Sequence, residues 1–312
     1  MECDGKGQRD PPTRRASSTL DEATAGPPRG ALHPESGGLK MELMLIIAFA
    51  LILVTAFMFA PLGLGGGVLY VPIFIYLLDW EIHLALVASL LLVWMVSLGS
   101  RLAHQEGGYA DEYCGKRGIA TALPGTIAGT LLASVLVASV GSIAIKAGAV
   151  AILIFVIQKN LLKLKGEMNG NDNEEMVLEG LVLRNYRMAC FGAGASSGML
   201  GIGGGALFVT THRSLLNYNA HRAAGTSYII ESWMVPLGVI AHLIVDGTGP
   251  ALLETGGVTM LILIPISVAV AAYVGARFAI KKLPMRILTI VFIVAVSASL
   301  ARYLWDFGGL IL

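Results

Sequence analysis

The sequence predicts an all-α, polytopic integral membrane protein made of two inverted repeats, each a glycine-broken helical hairpin followed by three spanning helices. Three observations carry this expectation. The chain is 55% hydrophobic and only 14% charged, with a mean hydropathy of +0.72, whereas a soluble domain carries about 25% charged residues. The stretch Gly63-Leu64-Gly65-Gly66-Gly67 interrupts apolar sequence and returns as Gly201-Ile202-Gly203-Gly204-Gly205, 138 residues later. No segment alternates with the period of two expected of membrane barrel strands.

Adjacent glycines cost helix stability, about 1 kcal/mol each relative to Ala, so each stretch should unwind the helix that contains it. Unwound backbone survives at membrane depth only where it is buried in protein or lines a polar cavity. Two such breaks at matching positions of two halves point to a substrate site. The match extends without a gap: Asp79, Trp80, His83, Ala85 and Ser89 face Asn217, Tyr218, His221, Ala223 and Ser227. A shared His and a shared Ala-x-x-x-Ser at one offset make duplication the better reading than chance, even with 38 glycines in 312 residues.

Residues 1–40 carry six basic and six acidic residues and no apolar run, and are expected to be a disordered polar tail. The first transmembrane repeat is expected over 41–162. Residues 41–62 are long enough to span, Val68 to Leu78 covers half a span, and full spans follow at 83–104, 118–140 and 143–162. Between them, Glu106, Asp111, Glu112, Lys116 and Arg117 read as a polar loop. A cytoplasmic connector is expected over 163–187 and a second repeat over 188–306. That repeat places 188–200 before its glycine break, Ala206 to Leu216 as the short limb, and spans at 220–245, 256–280 and 285–305. A turn joins the first two from Asp246 to Pro250, and residues 307–312 form a short tail.

Lys and Arg near span ends give the topology. They crowd the loops around Arg101 and Lys116, around the connector, and at Arg277, Lys281, Lys282 and Arg286. Those loops are expected in the cytoplasm, and the turns at 140–142 and 246–254, free of Lys and Arg, outside. If each broken segment returns to its starting side, the halves enter from opposite faces.

The residues of each break, Gly65, Gly66, Gly67 and Val68 in one half and Gly203, Gly204, Gly205 and Ala206 in the other, open short helices. Free N–H groups and the positive end of the helix dipole favour a small anion there; glycines that only permit close helix packing are the alternative. Ser89, Thr226 and Ser227 are candidate ligands, with Ser196 and Ser197 behind them. Glu231 lies in the middle of an apolar span, opposite Val93 in the repeat, and is the candidate proton carrier, since charge inside a membrane usually marks function. His83, His221 and Arg222 are gate candidates at the two mouths.

The sequence resembles the TauE/SafE family of sulfite and organosulfur-anion exporters. The resemblance rests on the two glycine stretches with Val71-Pro72, on Ala223-Ala224-Gly225-Thr226-Ser227, on Leu123-Pro124-Gly125 with Gly129, and on Gly275-Ala276-Arg277 with Lys281-Lys282-Leu283-Pro284. It covers roughly 41–306 and implies a carrier of two related halves that moves small sulfur-containing anions, usually outward. Departures are Thr210, where the repeat would place the partner of Pro72, and Val87-Ala88-Ser89 in place of Thr226-Ser227.

The expected function is a secondary transporter of sulfite or organosulfonates in the plasma (inner) membrane, working by alternating access and coupled to protons, with an anion channel as the rival reading. A membrane-embedded enzyme or signalling subunit is disfavoured: there is no GxxxxGK[ST], HExxH or GxSxG. No cofactor and no metal is expected, and no His and carboxylate cluster at metal spacing is visible. The net charge of +1 gives no reason for a nucleic-acid partner. The expected partners are the small anion, the lipid bilayer and a second copy in a homodimer. Cys190 reads as a small packing residue.

Overall fold

The structure, a computed structural model, describes residues 35–168, 175–282 and 284–311. Most of the polar tail and residues 169–174 of the connector lie outside the described residues. Two successions follow one another, each with a helix, a glycine break, a short helix and further long helices. The first is α1 (Glu35–Phe59), a 3-10 turn (Ala60–Leu62), α2 (Gly67–Pro72) running into a π-helical turn (Ile73–Leu77), α3 (Ile82–Glu106), α4 (Glu112–Val140) and α5 (Ser142–Met168). The second is α6 (Gly180–Leu200), α7 (Gly205–Leu215), α8 (Ala220–Val245), α9 (Gly249–Val258), a second π-helical turn (Thr259–Leu263), α10 (Ile264–Lys282) and α11 (Met285–Ile311). Among the described residues there is no strand, and 6 helices are long and apolar enough to cross a membrane.

Several boundaries differ from the expectation: α1 begins at Glu35, inside the stretch expected to be disordered, α5 runs on to Met168 and α6 begins at Gly180, both inside the expected connector, and α11 continues to Ile311; two further differences have a visible cause. Helix α4 begins at Glu112 rather than 118, so Glu112, Lys116 and Arg117 form its first turns instead of a loop. The cause is Asp111, whose carboxylate accepts the Cys114 N–H at 3.0 Å and caps the helix. After α8 the chain turns within Asp246 to Thr248, and α9 starts at Gly249 with Pro250 in its first positions. The expected start at 256 is instead a kink, where Gly257 takes φ +57°.

The short limbs differ as their sequences do. Pro72 has no N–H to give, and α2 continues as a π-helical turn after it. Thr210 in the second copy keeps its N–H and returns its hydroxyl to the Ala206 carbonyl at 2.7 Å, so α7 stays regular. Both limbs end in a left-handed residue at matched positions, Asp79 with φ +56° and Asn217 with φ +57°.

The two successions interlock. Helix α4 packs on α6 and α8, and α10 packs on α1 and α3, so the second long helix after each break lies against the other half. Helices α3 and α8 form the centre and run antiparallel: His104 near the end of α3 meets His221 near the start of α8, ring centroids 6.4 Å apart, while His83 near the start of α3 meets the end of α8 at Asp246. Contacts between helices are made through small residues, as membrane interiors favour. A methyl on Gly125, Gly129, Gly194 or Gly198 would strike a backbone carbonyl across the α4–α6 seam, and one on Gly99 or Gly275 would do so against α10 and α1. Apolar side chains such as Leu131, Val135, Ile154, Ile240 and Val294 remain exposed on the outside, the belt that lipid covers.

Two stability predictions follow from this packing. Gly129→Ala should lower the unfolding temperature in detergent, because overpacking against backbone costs about 1–3 kcal/mol, more than the roughly 1 kcal/mol of helix propensity gained. Gly192→Ala, where an added methyl meets nothing within 4 Å, should leave that temperature unchanged or raise it. Asp111 lies in the loop before α4; burial alone would raise its pKa, but the Cys114 N–H, the Tyr218 hydroxyl and Arg222 together lower it. Its contribution should therefore be complete above the unfolded value of about 3.9 and fade as pH falls through the lower folded value. Thermal unfolding of wild type and Asp111→Ala between acid and neutral pH checks this: the two curves should converge only on the acid side.

Candidate functional site

Each break is a helix end followed at once by a helix start. Gly63 and Gly201 close the incoming helices with φ +74° and +67°, and Gly66 and Gly204 open α2 and α7 with φ +81° and +75°. This left-handed backbone is where a side chain is strained and glycine is not. Residues 63–68 and 201–206 are all buried, so the N–H and C=O groups freed by unwinding must find partners in the protein or in a polar occupant.

The breaks satisfy each other. Ser89 Oγ, on α3 of the first half, donates to the Gly201 carbonyl of the second break at 2.6 Å. Ser227 Oγ, on α8 of the second half, lies 3.3 Å from the Gly63 carbonyl of the first break. A methyl on Gly67 would fall 2.6 Å from the Ile202 backbone, and one on Gly205 would come 3.1 Å from the Leu64 carbonyl carbon. The contacts are reciprocal at the 138-residue offset, and the starts of α2 and α7 lie side by side.

Glu231 sits over both. It is fully buried; its Oε1 lies 2.6 Å from Ser227 Oγ, and its Oε2 has no partner among the described residues. A methyl on Gly205 would approach Oε1 to 2.8 Å and one on Gly65 would approach Oε2 to 3.0 Å. The equivalent position in the first half, Val93, presses its methyl groups against Gly65 and Gly203. Two further buried polar atoms near the breaks lack partners among the described residues: the Tyr70 hydroxyl, which lies over Gly66, and Ser197 Oγ, whose side chain borders Gly204. Buried polar atoms are nearly always hydrogen-bonded, and three of those without a partner among the described residues lie around the two helix starts. Tyr228 is also buried there and donates to the Phe59 carbonyl at 3.3 Å. The aromatic hydroxyls of Tyr70 and Tyr228 were missed in the sequence because nothing local separates them from packing residues.

Other candidates lie elsewhere. Thr226 is not brought to the breaks: its hydroxyl donates to the Arg222 carbonyl at 2.7 Å and accepts the Asp111 N–H at 3.1 Å. Arg222 is held in ion pairs with Asp111 at 2.7 Å and Glu175 at 2.6 Å, its guanidinium 4.4 Å from the Tyr218 ring centre. His221 packs on Tyr109 with ring centres 5.0 Å apart, at the same end of the bundle as Arg222. His83 lies at the opposite end, 3.0 Å from Asp246. Ser196 lines a cavity of about 430 Å³ between α5, α6 and α7, together with Lys159, Thr210, Thr211 and Ser214.

Among the described residues 6 helices are long and apolar enough to cross a membrane, and two buried, unwound helix starts meet beside a buried carboxyl; this is the form of a multi-pass membrane protein. Comparison with known proteins bears on which. Neither a curated protein nor a solved structure matches the chain. A family model described as Sulfite exporter TauE/SafE matches residues 48–303 of the 312, a span that contains both breaks, Ser89, Ser227 and Glu231. The chain therefore belongs to the TauE/SafE sulfite exporter family.

Proposed function

We propose that the protein is a secondary transporter that carries small sulfur-containing anions, such as sulfite or organosulfonates, out across the plasma (inner) membrane by alternating access, with Glu231 coupling the movement to protons. The observation that carries this reading is the meeting of two buried helix starts, one from each glycine break, beside one buried carboxyl. The antiparallel run of α3 and α8 supports an inverted relation between the halves, and the basic residues at the Arg101, Arg222 and Arg277 end support placing that end in the cytoplasm.

Charge arithmetic supports the coupling. Each helix start presents roughly half a positive charge, so two together balance about one anion. Glu231 and a substrate anion compete for that one place. Two like charges 4 Å apart repel by about 4 kcal/mol at an effective dielectric of 20, a cost near a thousandfold in affinity. An anion is therefore accepted when Glu231 is neutral, and its binding in turn favours protonation of Glu231, since linkage is reciprocal. Anion and proton travel together, and a monovalent anion crosses without net charge. The substrate and pH gradients, rather than the membrane potential, set the direction of flux.

In proteoliposomes, Gly205→Leu should abolish sulfite or sulfonate flux while the protein remains folded, because its side chain enters the space between Glu231 and the Gly63 carbonyl. Retained flux would refute the site. Glu231→Gln should keep flux but flatten its pH dependence, which in wild type should rise as the compartment holding the substrate is acidified; an unchanged pH profile would reject proton coupling. A thermal-shift screen of purified protein against sulfite, thiosulfate, sulfate, taurine and sulfoacetate should single out the substrate by the largest stabilisation, and that shift should disappear in Gly205→Leu.

A further inference from the structure

At the end of the bundle away from the basic loops, three ligand-bearing side chains meet: His242 and Asp246 share one helix face at an i,i+4 spacing that the expectation of no metal cluster overlooked, and His83 joins them from α3. His83 comes from the start of α3, and His242 and Asp246 from the end of α8. His83 Nδ1 lies 3.0 Å and His242 Nδ1 2.6 Å from the same oxygen, Asp246 Oδ2, and one ligand atom from each residue falls within 4.8 Å of the others. His242 is fully buried, the Asp246 side chain is 4% exposed, and the His83 side chain is 18% exposed and open to solvent.

The hydrogen bonds around these residues decide what the cluster is for. His242 Nε2 lies 2.6 Å from the Gly198 carbonyl, which only accepts, so Nε2 carries the ring hydrogen. In a neutral ring that leaves a lone pair on Nδ1 facing a carboxylate oxygen, and a cation must lie between them. A proton would join those two atoms alone. His83 Nδ1 converges on the same oxygen; a carboxylate oxygen can accept from two donors, but three ligand atoms gathered within 4.8 Å of one another are also the arrangement a metal ion shares. The outer bonds match those of metal ligands: a ligating His usually donates its other N–H to a carbonyl, and a ligating carboxylate is itself hydrogen-bonded. The Gly198 carbonyl supplies the first and Ser134 Oγ, donating to Asp246 Oδ1, the second.

We propose that His83, His242 and Asp246 bind a transition-metal cation of the Zn²⁺ type, which clamps the start of α3 to the end of α8. Two imidazoles and one carboxylate are ligands suited to such an ion, and three protein ligands leave a fourth position for water. Metal–ligand bonds of about 2.0–2.2 Å need only small side-chain rotations from the present separations. The repeat contains its own control. His221 and His104 stand at the positions equivalent to His83 and His242 and pack together at the other end, but Gly108 occupies the position equivalent to Asp246. Two imidazoles without the carboxylate make no comparable site.

The test needs no substrate. Zn²⁺ titrated onto purified, chelator-treated full-length protein should raise the unfolding temperature by several degrees and be retained at one ion per chain by elemental analysis, reversibly with EDTA. Mg²⁺ and Ca²⁺, which prefer all-oxygen sites, should do neither. His83→Ala should retain the wild-type unfolding temperature without metal, since His83 is partly exposed, yet lose the Zn²⁺ shift; Asp246→Asn should lose it as well, and His221→Ala should keep it. A wild-type protein that ignores Zn²⁺, as a cluster holding only a proton would, overturns the proposal. A full shift surviving in His83→Ala overturns it too, by placing the metal elsewhere, for instance at Cys3 and His33 of the tail.

Discussion

Two hydroxyl-to-carbonyl bonds across the centre, Ser89 to Gly201 and Ser227 to Gly63, are the constraint on which the rest of the structure depends. Unwinding a helix at membrane depth frees backbone groups that lipid cannot serve, each costing several kcal/mol if left bare. Each half satisfies part of its own break, as where Gly66 N–H donates to the Leu64 carbonyl at 2.7 Å and Gly201 N–H to the Ser197 carbonyl at 3.0 Å, but the Gly63 and Gly201 carbonyls take their side-chain donors from across the centre. The serine that serves each break is carried by the long helix of the other half, so the halves must face each other with α3 and α8 antiparallel. The interlocked packing of α4 on α6 and α8, and of α10 on α1 and α3, then holds this arrangement at backbone-to-backbone distances that only glycine allows.

On that near-symmetric scaffold the chemistry is carried by the positions where the copies differ. Glu231 stands opposite Val93, both buried at the breaks, so one half brings a titratable group and the other a methyl wedge. Asp246 stands opposite Gly108, which separates two histidine pairs otherwise placed alike. Pro72 stands opposite Thr210 and converts one short limb into a π-helical turn. The two breaks share their buried helix starts and differ in the side chains set against them.

What was legible in the sequence was what depends on local spacing. The glycine runs, their offset, and the Ser89 and Ser227 match all follow from period and propensity, and the structure brings those residues together. Features that need two distant helices to meet were not legible. Thr226 shares its motif with Ser227 but faces Asp111 and Arg222, because one residue along a helix turns the side chain by about 100°. Helix α4 starts six residues before the expected span because its charged first turns resemble a loop; Asp111 as a capping residue is the available signal. His104 and His242 repeat at the same 138-residue offset as His83 and His221. That second pair, extended along the alignment, was the signal that would have exposed both histidine clusters.

The two crossing bonds differ in one respect that bears on coupling. Ser89 has only the Gly201 carbonyl to serve, at 2.6 Å, since Val93 offers no acceptor. Ser227 stands between the Gly63 carbonyl at 3.3 Å and Glu231 Oε1 at 2.6 Å with a single hydroxyl hydrogen. With a neutral carboxyl the chain is complete: Glu231 donates to Ser227, and Ser227 donates to Gly63. With an ionised carboxyl, Ser227 turns its hydrogen to Glu231 and the Gly63 carbonyl loses its donor. One tie between the halves is thus fixed, and the other depends on whether Glu231 holds a proton, so the state of one buried carboxyl governs how firmly the first break is held.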